Sequence, residues 1–345
     1  MKALCYHGPK DIRYDDAPDA TPQDARAAVV KIDLCAICGS DLHIYHGNGF
    51  SADTGYCVGH EAIGEVVEVG RDVRRLRVGD RVMVSGAVGC GDCAPCLAGD
   101  VLRCRNGAPQ CYGLSHALEG CQAEAVAVPA ADFNAAPIPD GVSPEQALML
   151  TDNLPTAYMG VRNADVGPGK TVAVVGLGPI GLMAVECAFV LGASRVYALD
   201  MVADRRARAA ELGAVALDPS SAFEEIHEAT KGRMVDCAVE AVGADVAIDA
   251  AIRLAGAGAT VSAFGVNLNQ EFPYPLGTAF MKGLTFRISG CPVPLYWGEL
   301  VPLLRDGRLR PERFVSHRVP LADGEAAYRQ FDEKTDGALK MLLAN

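Results

Sequence analysis

Thr171-Val172-Ala173-Val174-Val175-Gly176-Leu177-Gly178-Pro179-Ile180-Gly181 decides how this chain is read. Its first five residues are apolar and mostly β-branched, the composition of a strand buried on both faces. The run breaks at a G-x-G-x-x-G spacing. The apolar segment Leu182 to Leu191 then predicts a helix closed by Gly192, and Arg195 to Asp200 a second strand that ends in a carboxylate. In such a unit Gly176 permits the tight turn, Gly178 lets backbone approach a pyrophosphate, and Gly181 lets helix and strand pack closely. The helix start, at Pro179 and Ile180, turns unpaired N–H groups and a positive dipole end toward the phosphates. Asp200 lies 19 residues past Gly181, near the roughly 20 expected of the acid that holds a ribose 2′-hydroxyl. A carboxylate there repels a 2′-phosphate, so the expected dinucleotide is NAD rather than NADP.

The chain's 345 residues leave room for two domains. Half are hydrophobic and 21% charged, an ordinary globular balance. The net charge of −12 argues against a nucleic-acid or anionic-membrane partner. The start lacks a charged region followed by an apolar core, and Lys2 to Lys10 reads as a strand. No apolar run approaches the roughly 18 residues of a membrane span. Thirteen cysteines, an odd number without an export signal, read as metal ligands and buried thiols, and the expected location is cytoplasmic.

In the amino-terminal half, Ala27–Leu34, Ala62–Val69, Arg81–Val84 and Ala123–Val128 read as short strands of an all-β, barrel-like domain. Cys90-x2-Cys93-x2-Cys96-x7-Cys104 matches a closed, tetrahedral and therefore structural zinc site. An iron–sulfur cluster or an incidental group of thiols is the alternative. Cys38-Gly39-Ser40-Asp41-Leu42-His43 and Gly59-His60-Glu61 are two further clusters. A catalytic zinc needs three protein ligands and one open position. Cys38 and His60 offer two and Asp152 a third, but spacing alone does not join positions so far apart.

After Asp200 strand and helix alternate. Helices are expected at Ala203–Leu212, Ala222–Thr230 and Asp245–Ala255, and strands at Ala214–Leu217, Val235–Val239, Thr260–Val266 and Leu284–Ser289. With the first two strands these make a six-stranded, doubly wound sheet whose ligand sits at the strands' carboxyl ends. Arg205 offers a cation near the adenosine ribose or a phosphate, or else a solvated helix face. From about Cys291 the chain returns to the first domain and ends in a helix over Gly324–Phe331 and a strand near Leu339–Leu343. The expected domains are 1–152, completed by 291–345, and 153–290, with zinc and cofactor meeting in the cleft between them.

Taken together, the Cys38–His43 block, Gly59-His60-Glu61, the four-cysteine lobe, Val78-Gly79-Asp80-Arg81-Val82 and the Gly176–Asp200 unit resemble the zinc-dependent medium-chain alcohol dehydrogenases. The likeness covers essentially the whole chain, with the five motifs in the family's order. It implies a GroES-like barrel followed by a Rossmann domain, two zinc ions and NAD. It also implies that Cys38, His60 and Asp152 bind the catalytic zinc. The aspartate at that position resembles bacterial secondary-alcohol dehydrogenases, where other members have cysteine or a glutamate followed by proline. By the same resemblance Glu61 sits near the metal, Asp41 orients the ligating histidine, Ser40 accepts the alcohol's proton and His43 relays it. Gly265 and Ser289 lie near the nicotinamide through backbone atoms. One departure is Gly39, where some animal relatives carry a basic residue that contacts the pyrophosphate.

The implied activity is reversible hydride transfer between a primary or secondary alcohol and NAD. Polyol, threonine and formaldehyde dehydrogenases are alternatives within the family, and a catalytically silent nucleotide-binding relative is the alternative outside it. The presence of Cys38, His60 and Asp152 together argues against zinc-free quinone or enone reduction. Ile44, Tyr45 and residues near Leu154 and Tyr296-Trp297 are expected to line the substrate pocket. A homotetramer, or else a homodimer, is expected from the family. Val293–Leu304 and Val261–Val266 are candidates for an edge-to-edge sheet contact, or else for core.

Overall fold

The computed structural model describes residues 1–107 and 110–345. The chain divides into two compact units, Met1–Pro155 with Pro292–Asn345, and Thr156–Cys291. The first boundary falls inside the helix Asn153–Asn163.

The first unit is built on a seven-stranded sheet. Its path runs Val315–Pro320, Lys340–Ala344, Ala28–Ala36, Ala62–Val69, Arg81–Val84 and Ala135–Pro137, and Ala125–Val128 also pairs with Ala28–Ala36. Every pairing is antiparallel except that of Val315–Pro320 with Lys340–Ala344. The long central pair shifts register twice, between Val29 and Val30 and between Ile32 and Leu34. At the second irregularity a side chain on Gly64 would sit 2.0 Å from the Lys31 carbonyl oxygen, so only glycine fits there. The core of the unit gathers Val30, Ile32, Val66, Val84 and Val126 from these strands with Tyr328 and Phe331 from the helix Gly324–Glu333. Ile44 and Tyr45 belong to this core. They are 1% and 6% exposed, and the Tyr45 ring lies 5.6 Å from that of Tyr328. The expectation that they line a substrate pocket is therefore corrected: the helix Asp41–Tyr45 turns that face inward.

The second unit is a parallel sheet of β1 (Thr171–Val175), β2 (Arg195–Leu199), β3 (Val215–Leu217), β4 (Val235–Glu240), β5 (Ala255–Ala263) and β6 (Thr285–Ile288), ordered β3-β2-β1-β4-β5-β6. This is a Rossmann sheet, with the strand order reversing beside β1. Strand β5 starts five residues before the expected Thr260 and stops at Ala263. Ala255, expected as the end of the preceding helix, instead opens this strand, and the helix ends at Leu254. Pairing with β4 jumps from Val235–Ala255 to Cys237–Thr260, so the residues between bulge from the ladder; Gly258 has φ +73°, and a side chain on Gly256 would come within 2.3 Å of the Arg233 carbonyl oxygen.

Two segments left open between an edge-to-edge contact and core are decided against the sheet edge. Val261–Val266 is no sheet edge: Val261 and Ala263 are buried, between β4 and β6. Val293–Leu304 is a short 3-10 turn followed by the helix Trp297–Arg305. Among the described residues no helix is long and apolar enough to cross a membrane.

Candidate metal centres and cofactor site

Three separate turns of the first unit carry one cluster. Cys38 follows the strand Ala28–Ala36, His60 and Glu61 lead into Ala62–Val69, and Asp152 sits between the helices Pro144–Met149 and Asn153–Asn163. A capping box at Ser143 and Gln146 fixes the start of the first of those helices. One ligand atom each from Cys38, His60, Glu61 and Asp152 lies within 4.8 Å of all the others. Asp152 Oδ2 stands 3.7 Å from Cys38 Sγ and 3.6 Å from His60 Nε2. Gly86 runs between the His60 and Asp152 segments, where a side chain would meet the His60 carbonyl oxygen at 2.9 Å. The Gly86 N–H also donates to the Thr151 carbonyl.

A buried polar network backs the cluster. Asp41 accepts the Cys38 N–H at 2.9 Å and faces His60 Nδ1 at 3.2 Å, off the line of a hydrogen bond. Gln122 donates to Asp41 at 3.2 Å and accepts the Tyr328 hydroxyl at 2.8 Å. Lys340 Nζ, fully buried, donates to Glu61 Oε1 at 2.6 Å and to the Ile37 carbonyl at 3.1 Å. Asn153 Nδ2 reaches Glu61 Oε1 at 2.9 Å, Asp152 Oδ2 at 3.0 Å and Cys38 Sγ at 3.7 Å. Sequence reasoning missed Lys340, Asn153, Gln122 and Tyr328. The one available signal was a lysine opening the otherwise apolar strand Lys340–Ala344.

Burial disfavours a charged His60, yet the carboxylates of Asp41 and Asp152 outweigh it and hold the imidazole well above its usual range. Burial likewise pushes Asp152 up, and His60 more than offsets it, leaving Asp152 below the ordinary carboxylate range. Burial also raises Glu61, against the opposing charge of Lys340. Glu61 Oε2 is buried without a hydrogen-bond partner among the described residues. One sulfur, one imidazole nitrogen and one carboxylate, with a spare buried oxygen beside them, are a donor set that suits zinc with an open position. Ser40 Oγ lies 3.4 Å from His60 Nε2. His43 is half-buried on the helix Asp41–Tyr45.

The second group is the lobe. One sulfur each from Cys90, Cys93, Cys96 and Cys104 lies within 4.8 Å of the others. The Cys90 sulfur accepts the Asp92 and Cys93 N–H groups and the Asn106 amide. Burial opposes this, but the two backbone donors bring the Cys90 thiol below its usual value. The Arg105 and Cys96 N–H groups lower Cys93 to about 6, whereas burial raises Cys96 to about 12. Backbone N–H groups aimed at clustered sulfurs favour thiolates, the form that binds metal.

In the second unit Gly176 has φ +92°, and a side chain there would strike Val242 Cγ2 at 2.3 Å. A side chain on Gly181 would lie 1.9 Å from the Gly176 carbonyl oxygen, so helix Pro179–Val190 packs against the turn only through glycine. At Gly178 a side chain would meet nothing within 4 Å. That glycine answers no internal constraint, and its open side is the kind of space a pyrophosphate fills beside a helix start. Asp200, just past β2, accepts the Leu177 N–H at 2.8 Å through Oδ2 and the Val202 N–H at 2.8 Å through Oδ1. Arg205 Nη1 stands 3.8 Å from Asp200 Oδ2. Gly265 presses on Gly243, with room for no side chain. Ser289 is exposed, and its hydroxyl contacts Asn163 and Met159. Glu240, also missed in sequence, is fully buried at the end of β4, where Oε1 accepts the Val242 and Gly243 N–H groups at 2.7 Å each.

Residues 24–140 match the alcohol dehydrogenase GroES-like domain, and residues 179–306 match the zinc-binding dehydrogenase domain. A probable zinc-binding alcohol dehydrogenase of Mycobacterium tuberculosis is 40% identical over 343 residues, covering 99% of this chain and 88% of that protein. The chain belongs to the zinc-type alcohol dehydrogenase family. An alcohol dehydrogenase of Cupriavidus necator is 34% identical over 367 residues, 99% of this chain and 98% of its own. The solved alcohol dehydrogenase TADH from Thermus sp. ATN1 superposes with a TM-score of 0.93 at 37% identity, covering 100% of this chain and 99% of that one. The medium-chain dehydrogenase reading and its GroES-like and Rossmann architecture are thereby established. The family's use of zinc matches the two donor groups described above.

Proposed function

We propose that this chain is an NAD-dependent zinc alcohol dehydrogenase that interconverts a primary or secondary alcohol and its aldehyde or ketone. The observation that carries the reading is the convergence of Cys38, His60, Glu61 and Asp152 within 4.8 Å, in a chain of this family. Cys38, His60 and Asp152 would hold the catalytic zinc, and Cys90, Cys93, Cys96 and Cys104 the structural one. When bound, zinc supplies Lewis acidity to the alcohol hydroxyl and NAD supplies the hydride acceptor.

The chain's own residues do the rest. Ser40, whose hydroxyl faces His60, takes the alcohol proton, and His43, three residues on, passes it outward with a side chain suited to neutral pH. Asp41 orients His60, Lys340 and Asn153 hold Glu61 by one oxygen, and Asn153 also supports Asp152 and Cys38. The Gly176–Gly181 turn receives the pyrophosphate with Pro179 and Ile180 at the helix start. Asp200 receives the adenosine ribose with Arg205 beside it, and Gly265 and Ser289 take the nicotinamide end. Asp200 is the reason for choosing NAD over NADP.

We also propose a homotetramer, with a homodimer as the alternative, in the cytoplasm. Support for assembly comes from the edge strand β6, where Ile288 is 62% exposed, and from the nearby helix Leu276–Lys282, where Phe280 and Met281 are 82% and 81% exposed.

The test is zinc per chain on chelator-washed protein, with a scan of primary, secondary, aromatic and polyol alcohols against NAD and NADP. Two zincs and NAD-linked oxidation are expected. One zinc and no turnover with any alcohol refutes the activity.

A further inference from the structure

Cys5 and Cys57 stand directly opposite one another in an isolated antiparallel bridge. The Tyr6 N–H donates to the Tyr56 carbonyl at 3.0 Å, and the Val58 N–H to the Leu4 carbonyl at 3.0 Å. These bonds flank the pair rather than join it. Cys5 and Cys57 are thus a non-hydrogen-bonded pair, the antiparallel arrangement in which facing Cα atoms approach most closely, at about 4.5 Å. That separation falls inside the range of about 4.4–6.8 Å that a disulfide spans without backbone movement.

The surroundings favour the same bond. Both cysteines are free thiols, 3% and 2% exposed. The other buried members of their cluster are Ala3 and Ala123, small side chains beside the two sulfurs. The interaction of the two neighbouring thiols holds Cys5 below its usual range and, with burial, pushes Cys57 above it. Neither belongs to a metal-binding group among the described residues.

We propose that Cys5 and Cys57 form a redox modification site that closes to a disulfide with a two-electron oxidant of the peroxide class. The Cys5 sulfur attacks one peroxide oxygen and the O–O bond breaks. The departing oxygen leaves as water after taking a proton, and Cys5 becomes a sulfenic acid. The Cys57 sulfur then displaces that hydroxyl and loses its own proton to it, so a second water leaves as the S–S bond forms. Two thiols lose two electrons, and one peroxide becomes two waters. The bond ties the strand Lys2–Gly8 to the segment that reaches His60 three residues after Cys57. Burial makes oxidation wait on opening of that amino-terminal strand, so the pair reacts under sustained rather than brief oxidant.

The experiment exposes the zinc-loaded chain to hydrogen peroxide, alkylates it after denaturation and maps tryptic peptides by mass spectrometry. The expected product joins the peptide 3–10 to the peptide 32–71 with loss of two hydrogens, and fragment ions place the link at Cys57 rather than Cys35 or Cys38. The thermal midpoint of the oxidised chain rises by several degrees, because a cross-link over a long loop restricts the unfolded chain. Dithiothreitol reverses the rise, and Cys5→Ala abolishes both the linked peptide and the rise. The proposal is overturned if Cys5 and Cys57 are recovered fully alkylated at peroxide doses that already oxidise other cysteines. The wild-type peptide map decides the matter without any variant.

Discussion

Replacing Lys340 with methionine tests whether the buried ion pair behind the candidate zinc site holds the first unit together. Lys340 and Glu61 are both fully buried, 2.6 Å apart. The substitution removes one of the two donors to Glu61 Oε1 and leaves Asn153 alone, while Oε2 stays without a partner. The carboxylate left behind is out of reach of water and has lost the cation that hydrogen-bonds to it, with His60 the charge that remains nearby. Breaking one partner of such a pair costs about 3–5 kcal/mol, because the remaining charge is uncompensated. Adding Glu61→Gln removes that charge, so the double variant should recover to within about 1 kcal/mol of the parent. Urea unfolding followed by fluorescence is the assay. Trp297, the chain's one tryptophan, belongs to the same unit as the pair and donates to the Leu150 carbonyl, so its emission reports the unfolding that matters. A loss below about 1 kcal/mol for Lys340→Met, or a double variant no better than the single one, would refute the reasoning.

Four other outcomes are expected. Asp200→Gly should weaken NAD binding and narrow its margin over NADP, read as the ratio of the two dissociation constants; an unchanged ratio removes the ribose assignment. Cys38→Ser should abolish turnover with the loss of one zinc, whereas Cys93→Ser should lose the other zinc and lower the thermal midpoint while turnover persists; elemental analysis alongside initial rates separates them. Gly181→Ala forces a methyl against the Gly176 carbonyl oxygen and should cost NAD affinity tenfold or more, about 1.4 kcal/mol, by titration calorimetry. Asp165 is held below the usual carboxylate range by its hydrogen bond to Arg287. Its stabilisation is complete above its ordinary value of about 4 and fades as pH falls through the depressed one. Asp165→Asn should therefore flatten the acid limb of the stability curve slightly, since the pair is half-exposed, and an unaltered limb in thermal melts between about pH 2 and 5 counts against it.

The parts of the molecule legible in sequence are those whose cause is local. The strand Thr171–Val175, its glycine turn and the carboxylate at Asp200 lie within 30 residues and carry their own periodicity and spacing. The lobe spans Cys90 to Cys104, so its four sulfurs meet through one short loop. The start of strand β5 was misplaced because the residues between Ala255 and Thr260 bulge out of the ladder, and only the pairing of Ala255 with Val235 shows that the strand has already begun. Val293–Leu304 lacked any periodicity strong enough to separate a helix from a strand.

The candidate catalytic cluster is different in kind. Cys38, His60 and Asp152 could be named from motifs only through a family resemblance, since nothing in their spacing brings them together. Lys340 stood out only as a lysine in an apolar strand, and its partner Glu61, 279 residues away in sequence, could not be read. Tyr328 reaches Gln122 across 206. Ile44 and Tyr45 follow the Cys38 motif closely enough to suggest a pocket, yet the direction in which their helix faces put them in the core. Local chemistry therefore determined the fold class, the dinucleotide turn and the structural metal lobe, because backbone propensity and short-range spacing act within one segment. The partner of each buried charge was decided only by the tertiary structure, because a charge removed from water must be met by whatever segment the packing brings against it.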